Sequence, residues 1–525
     1  MGVFPLQKRP TTSSLAAELE TPSSSSPLSE FIALVKLLRA HGRMLGLGEE
    51  PPPVVLLGLQ RLLRLQPKLE ARQAARVPRP LGRLVGSTSS SARRTDPTLG
   101  AARRCLELSC AAYGPFGALV VGASRGRYWS TQRTLAGRAV WRRPNAAAFE
   151  TLTRLSARHC LLYAQWAPTG APHRGGYVPA HYIVADPTLR AVVLVVRGSL
   201  GLRDVLVDLQ TAPAPRHLEA ALGRGCHGGI AAAAARLVGL HEARLRAALQ
   251  RRPGWRLLVT GHSLGGGVAC FAARLLRRAL PRSAAVHALS FAPVATLPLR
   301  QCGAYEDLAD AFVLGADAVP RLSLGGPLPL SPLPLPPSGG EALTARVACL
   351  AGSLRHLLEA ARLAGRESWA WGSSSSRAAA GGEAKPRRSR HADTDADEAL
   401  TERLLAHRRE RVSRPHKATV YPPGRLLLLE RAEEEGAGGG ATGAGGSRHS
   451  VVSTKEEAGR GEEQEEGGPP PPQPQQGWRL CRRLDRRRLS VLDVRPSMLR
   501  DHGFDRYDSA LRALAPPGRG DRTVP

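Results

Sequence analysis

At 525 residues, with 42% hydrophobic but only 4% aromatic residues and as many as 55 Gly and 43 Pro, the chain has room for one large core and for much sequence that cannot pack. Its 74 Lys and Arg against 44 Asp and Glu give a formal charge of +30, yet only six of these are Lys and the basic residues are not interleaved with aromatics, so no nucleic-acid partner is expected. The eight Cys form no C-x-x-C pair or zinc spacing, and no run of about 18 apolar residues occurs, which argues against a metal, a cofactor, a disulfide scaffold and a membrane span.

Residues 1–30 are rich in Ser and Pro and read as disordered; with Lys8 and Arg9 followed by polar sequence they offer no apolar signal core. The expectation is a cytoplasmic protein that can sit at the periphery of membranes, not a secreted one; a plastid transit peptide is left open. Leu recurs at helical spacing over 31–83, so 31–99 reads as a helical extension ending in a Ser-rich linker. Helices are expected over about 98–113 and 146–166, and a hairpin from strands at 182–184 and 191–196 around Asp186-Pro187. Alternation then sets in: a helix at 229–250, a strand at 256–260, a helix at 265–279, and strands at 286–290 and 311–314. Buried strands alternating with helices signal an α/β layer architecture with a mostly parallel sheet, its main part over 100–323.

Beyond 323 the pattern decays. Residues 324–415 read as an insert, largely of low complexity, with one helix at 342–364, and 416–431 as a core strand centred on 425–429. An acidic, Gly- and Pro-rich stretch, 432–478, cannot bury enough apolar surface to order. Residues 479–525 return to the core through a strand at 489–494 and a helix from about Ser509.

Two G-x-S-x-G patterns occur, and their surroundings separate them. In Gly261-His-Ser263-Leu264-Gly265 the serine lies between an apolar strand and a helix, the sharp turn on which a nucleophile is presented, with Gly261 and Gly265 permitting the close backbone approach. Ser124 in the second copy is followed by no helical pattern and reads as a surface turn. A serine hydroxyl needs a base, and the base needs an orienting carboxylate. Asp317, just after the strand at 311–314, is the candidate carboxylate, whereas Asp307 and Asp310 read as helix-end or solvated charges. Of the six His that follow, His502 comes after the last expected strand where a loop can return to the elbow; His416 is the alternative. The oxyanion donors are expected at Leu264, after the nucleophile, and in Arg197-Gly198-Ser199, which ends an early strand.

The runs 181–209, 226–237, 261–269, 316–323, 421–429 and 497–502 together resemble the class 3 (fungal-type) lipases, and within them the sn-1-specific diacylglycerol lipase-like group. The resemblance implies the α/β-hydrolase fold, Ser263, Asp317 and His502 as catalytic triad, and Ser199 with Leu264 as oxyanion hole. It implies a lid at 200–209, for which Leu200, Leu202, Val205, Leu206 and Leu209 are the apolar candidates. The implied activity is hydrolysis of glycerolipid acyl esters, diacylglycerol first, at a peripheral membrane or lipid-droplet surface. Phospholipase A1 or galactolipid acyl hydrolase is the alternative. From another class, a non-catalytic scaffold is disfavoured by finding every triad residue type in order.

Overall fold

The computed structural model describes residues 57, 60–69, 72, 97–137, 143–170, 176–200, 214–322, 359–365, 390–413, 419–431, 478–481, 485–490, 495 and 497–515. Residues 1–30, most of the acidic stretch, His416, Leu202, Val205, Leu206 and Leu209 lie outside them.

Among the described residues ten strands are present: β1 (Leu161–Gln165), β2 (His181–Asp186), β3 (Ala191–Val196), β4 (Arg256–His262), β5 (Val286–Phe291), β6 (Leu297–Pro298), β7 (Ala309–Leu314), β8 (Val420–Tyr421), β9 (Arg425–Arg431) and β10 (Trp478–Cys481). Eight form one sheet in the order β1-β2-β3-β4-β5-β7-β9-β10; β6 and β8 pair separately. The central neighbours from β3 to β9 run parallel, while β1, β2 and β10 are antiparallel at the edges.

Alternate strand residues bury on opposite faces, which explains why β3, AVVLVV, is apolar at every position. Val192, Leu194 and Val196 face a core with α5 (Gly228–Gln250) and α6 (Leu264–Ala279), whereas Val193 and Val195 face the other core. That second core is closed by α1 (Pro97–Ala111), α2 (Gly114–Ser124), α3 (Tyr128–Gly137), α4 (Pro144–Thr153) and α8 (Phe504–Leu514). A sheet parallel at its centre, covered by helices on both faces, with Ser263 on the turn from β4 into α6, is the α/β-hydrolase architecture.

Several elements depart from the sequence reading. The helix expected over 146–166 ends at Thr153; after one turn, Ala157–Cys160, the chain becomes edge strand β1. The Gly-rich stretch after Tyr113 forms α2 and α3, so Ser124 closes a helix, where its Oγ donates to Val121 O, and a second helix follows it. Asp310 does not precede its strand: it lies inside β7, 1% exposed, accepting from Arg425 Nε at 2.8 Å and meeting His287 Nε2 at 3.1 Å. Burial opposes its charge, but the bonds from His287 and Arg425 hold its carboxyl below the usual carboxylate range. Of the strand expected at 489–494, residues 489 and 490 close a 3₁₀ turn, Arg486–Ser490, and 491–494 lie outside the described residues, among which the last strand is β10. Within the expected insert, α7 (Arg390–Ser413) buries Leu400, Leu404 and Leu405 against Leu62, Leu65 and Leu69 of the helical extension, with Arg61 and Arg64 paired to Asp397.

At the other edge, His181 and His241 form a buried relay. Pro179 O can only accept, so His181 Nδ1 donates to it at 2.7 Å; His241 Nε2 then donates to His181 Nε2 at 2.7 Å, and His241 Nδ1 accepts from Arg244. Burial holds both imidazoles neutral, His181 below its ordinary value and His241 at about 4.

Candidate active site

Ser263 has φ 59° and ψ −127°, a conformation that non-glycine residues seldom adopt, at the junction of β4 and α6. The flanking glycines make that turn possible. A Cβ on Gly265 would stand 2.2 Å from Val196 O, and one on Gly261 would stand 2.4 Å from Gly265 and 2.6 Å from Val196 O, all backbone atoms. Gly198 completes the arrangement: its Cβ would meet His262 O at 2.4 Å and Ser263 Cβ at 3.0 Å, so the end of β3 passes directly beside the serine. Ser199, half-buried, follows that contact, and fully buried Leu264 follows Ser263. Leu200 is 51% exposed.

His502 comes to this turn from the far end of the chain. Its Nε2 lies 3.0 Å from Ser263 Oγ, and its Nδ1 lies 3.1 and 3.3 Å from the carboxylate oxygens of Asp317. Because a carboxylate only accepts, Nδ1 carries the proton in this arrangement and leaves Nε2 free to accept from the serine. Asp317 is fully buried just beyond β7, where it accepts from Val319 N–H at 3.0 Å and from Tyr507 O–H at 2.7 Å. The same Tyr507 oxygen accepts from Leu314 N–H at 2.9 Å, tying α8 to the end of β7.

Two further residues hold the loops in place. Asp501, beside His502, accepts from Ala316 N–H and Ser497 O–H, both at 3.1 Å, while Ala318 N–H donates to Met498 O. His262, beside Ser263, donates from Nε2 to His502 O at 2.9 Å, so its Nδ1 accepts from Tyr113 O–H at 3.1 Å. Burial, and then the nearby His502, push the His262 pKa down to about 3, keeping it neutral. Tyr113, His262, Asp501 and Tyr507 were not singled out in the sequence. Only adjacency to a motif residue could have flagged His262 and Asp501; no spacing flags the two tyrosines.

Among the described residues, no group of three or more His, Cys, Asp and Glu could hold a metal ion, and no helix is long and apolar enough to cross a membrane. The chemistry on hand is that of a hydroxyl, an imidazole and a buried carboxylate in hydrogen-bonded series, an arrangement suited to acyl transfer.

Residues 193–325 match the family model of lipase (class 3). That range contains Ser199, Ser263 and Asp317 and stops short of His502. The chain is similar to mouse diacylglycerol lipase-beta, 37% identical over 149 residues, or 27% of this chain and 21% of the relative. It is also similar to a secreted mono- and diacylglycerol lipase of Fusarium solani, 34% identical over 97 residues, 18% of this chain and 28% of the relative. The chain thus spans between about a fifth and somewhat over a quarter of these relatives' length. Among solved structures, the Rhizomucor miehei triacylglyceride lipase aligns with 43% of this chain and 75% of its own at 17% identity and a TM-score of 0.31.

Proposed function

We propose that the chain is a serine lipase that hydrolyses acyl esters of glycerolipids, with diacylglycerol at its sn-1 position as preferred substrate. What carries the reading is the unbroken series from Ser263 Oγ through His502 to Asp317, set on an elbow whose glycines leave room for nothing larger. His502 Nε2 takes the hydroxyl proton as Oγ attacks the ester carbonyl. The tetrahedral oxyanion is held by the N–H of Leu264 and by Ser199. Collapse expels the alcohol, which receives the proton from His502 and leaves an acyl-Ser263 ester. Water, deprotonated by His502, then attacks that ester, releasing the fatty acid and restoring the serine. Asp317 fixes the imidazole tautomer throughout, and Tyr507 and Val319 N–H fix Asp317.

The choice of diacylglycerol draws on the relatives named above, and the setting is the cytoplasmic periphery of a membrane or lipid droplet. We assign the catalytic domain to 100–323 together with 416–431 and 479–525. The test is labelling by a fluorophosphonate probe alongside release of fatty acid from diacylglycerol, triacylglycerol, phospholipid and galactolipid. The parent chain should label and favour diacylglycerol, and Ser263→Ala should abolish both signals. Labelling retained in Ser263→Ala would overturn the nucleophile; phospholipid or galactolipid cleavage with diacylglycerol spared would overturn the substrate.

A further inference from the structure

We infer that the outer face of α2 and the first turn of α3 form the surface on which this chain meets a bilayer containing anionic lipid; the inference rests on the lipase reading only in that the bilayer also supplies the substrate. Helix α2, GPFGALVVGAS, has no charged residue. Gly114, Gly117, Ala118, Val121 and Gly122 bury one side of it. Phe116, Leu119, Val120 and Ala123, spaced i, i+3, i+4 and i+7, make up the other; Phe116 is 54% exposed, Ala123 is exposed, and Leu119 and Val120 are half-buried. A helix apolar all round belongs in a core or in lipid, and on this one Leu119 and Val120 still pack in part against the core while Phe116 and Ala123 are left exposed. Across the turn, Tyr128 and Trp129 stand edge to face at the start of α3, with Trp129 70% exposed. Gly122 brings the two helices together, since a Cβ there would stand 2.5 Å from Thr131 Oγ1.

The face abuts the site. Phe116 lies edge-on to Phe504 at 6.2 Å, Phe504 meets His262 at 5.9 Å, and His262 lies 4.7 Å from His502. Of the eight large apolar side chains exposed among the described residues, five are Phe116, Tyr128, Trp129, Leu200 beside Ser199, and Leu499 one turn before His502. Phe116 reaches the site through Phe504, Leu200 and Leu499 neighbour Ser199 and His502 in sequence, and Tyr128 and Trp129 extend the exposed apolar surface at the start of α3, so most of the exposed large apolar side chains fall on these few elements.

Charge selects the occupant. Between Glu107 and Glu150 the sequence contains six Arg and no Asp or Glu. Arg125 is engaged by Asp508, and Arg127 and Arg133 are exposed beside the aromatics. Trp and Tyr favour the headgroup level of a bilayer, and Arg beside them favours anionic lipid. Eleven residues at 1.5 Å each make a helix about 16 Å long, too short to span and suited to lying in the interface plane.

The experiment compares co-sedimentation of the full chain with phosphatidylcholine vesicles and with vesicles containing added phosphatidylserine. Hydrolysis of a water-soluble short-chain ester reads the site without the surface. Trp129→Ser should weaken binding to both vesicle types about tenfold. Arg127→Glu with Arg133→Glu should weaken binding to the phosphatidylserine vesicles roughly thirtyfold and leave phosphatidylcholine binding nearly unchanged. Both variants should still turn over the soluble ester. Vesicle binding equal to that of the parent in both variants, no vesicle binding by the parent, or a parent dimer that both variants dissociate would each overturn the proposal. A parent that binds vesicles through these residues but never cleaves the soluble ester would overturn the lipase reading and leave the surface standing.

Discussion

The close backbone contacts that shape the turn at Ser263 lie in β4, the two glycines, α6 and the end of the adjacent β3. Asp317 and His502 are 185 residues apart and meet because backbone and side chains from both loops are tied together through Asp501, Ser497, Met498 and Tyr507. The first half of the site is set by steric exclusion, where no atom can be added. The second half is set by hydrogen bonds, each of which can be lost singly. The first should therefore fail abruptly when altered, and the second by degrees.

The sharpest break of that contrast is Gly265→Ala. Its methyl would stand 2.2 Å from Val196 O and 2.8 Å from the backbone of Arg197, so strand and helix must separate. Displacement of a reacting group by about 1 Å is enough to lower turnover roughly 100-fold, and a fall of at least that size should appear in steady-state kinetics, with a lowered melting temperature. Full activity would mean the elbow is not as tightly closed as its geometry implies.

On the other side, Asp501→Ala leaves the buried Ala316 N–H without its acceptor, a loss of about 1–3 kcal/mol in denaturant unfolding. Turnover should fall about tenfold while KM holds, because the loops drift but the substrate pocket does not. Asp501→Asn keeps an acceptor oxygen and should recover most of the loss; if it recovers nothing, the charge of Asp501 and not its hydrogen bonds is what matters.

The smallest effect concerns pH. His181, His241 and His262 are neutral in the fold, with pKa values held low by burial, His241 at about 4 and His262 at about 3. In the unfolded chain each takes up a proton near pH 6.5, so the unfolded state binds more protons between about 6.5 and 4. Stability should then be flat above pH 6.5 and fall below it, by about 1 kcal/mol per pH unit for each imidazole. Melting curves of the parent and of His241→Gln between pH 7 and pH 4.5 check this. The variant should lose less, and identical slopes would remove His241 from the account.

How far the fold could be read depended on how local its causes are. Strands β3, β4, β5 and β7 announced themselves as apolar runs because both their faces are covered. Strand β1, LLYAQ, is a half-buried edge, and its residues suit a helix equally well. Helices α2 and α3 were lost among Gly, Pro and Ser because close packing, not propensity, holds them: Gly117 sits where a Cβ would stand 2.2 Å from Cys110 O. Strand β10 is four residues, WRLC, with no signature of its own. In the site, Ser263 was legible from its immediate context and Asp317 from the strand before it. His502 could be reached only by weighing it against the other histidines. Tyr113 and Tyr507 act through partners 149 and 190 residues away, which no reading of neighbours would find.

The 239 residues that separate Ser263 from His502 also set an order in time. At roughly 5–20 residues per second, a ribosome that has just added Ser263 needs about 12–48 s more to add His502. Until then the Ser263 hydroxyl lacks the imidazole that lies 3.0 Å from it in the folded chain, and on the proposed reading it has nothing to take its proton. Ribosome-bound chains arrested before residue 502 should accordingly fail to react with a fluorophosphonate, while chains extended far enough to free α8 should react; labelling of the shorter chains would show that Ser263 is activated without its distant partner.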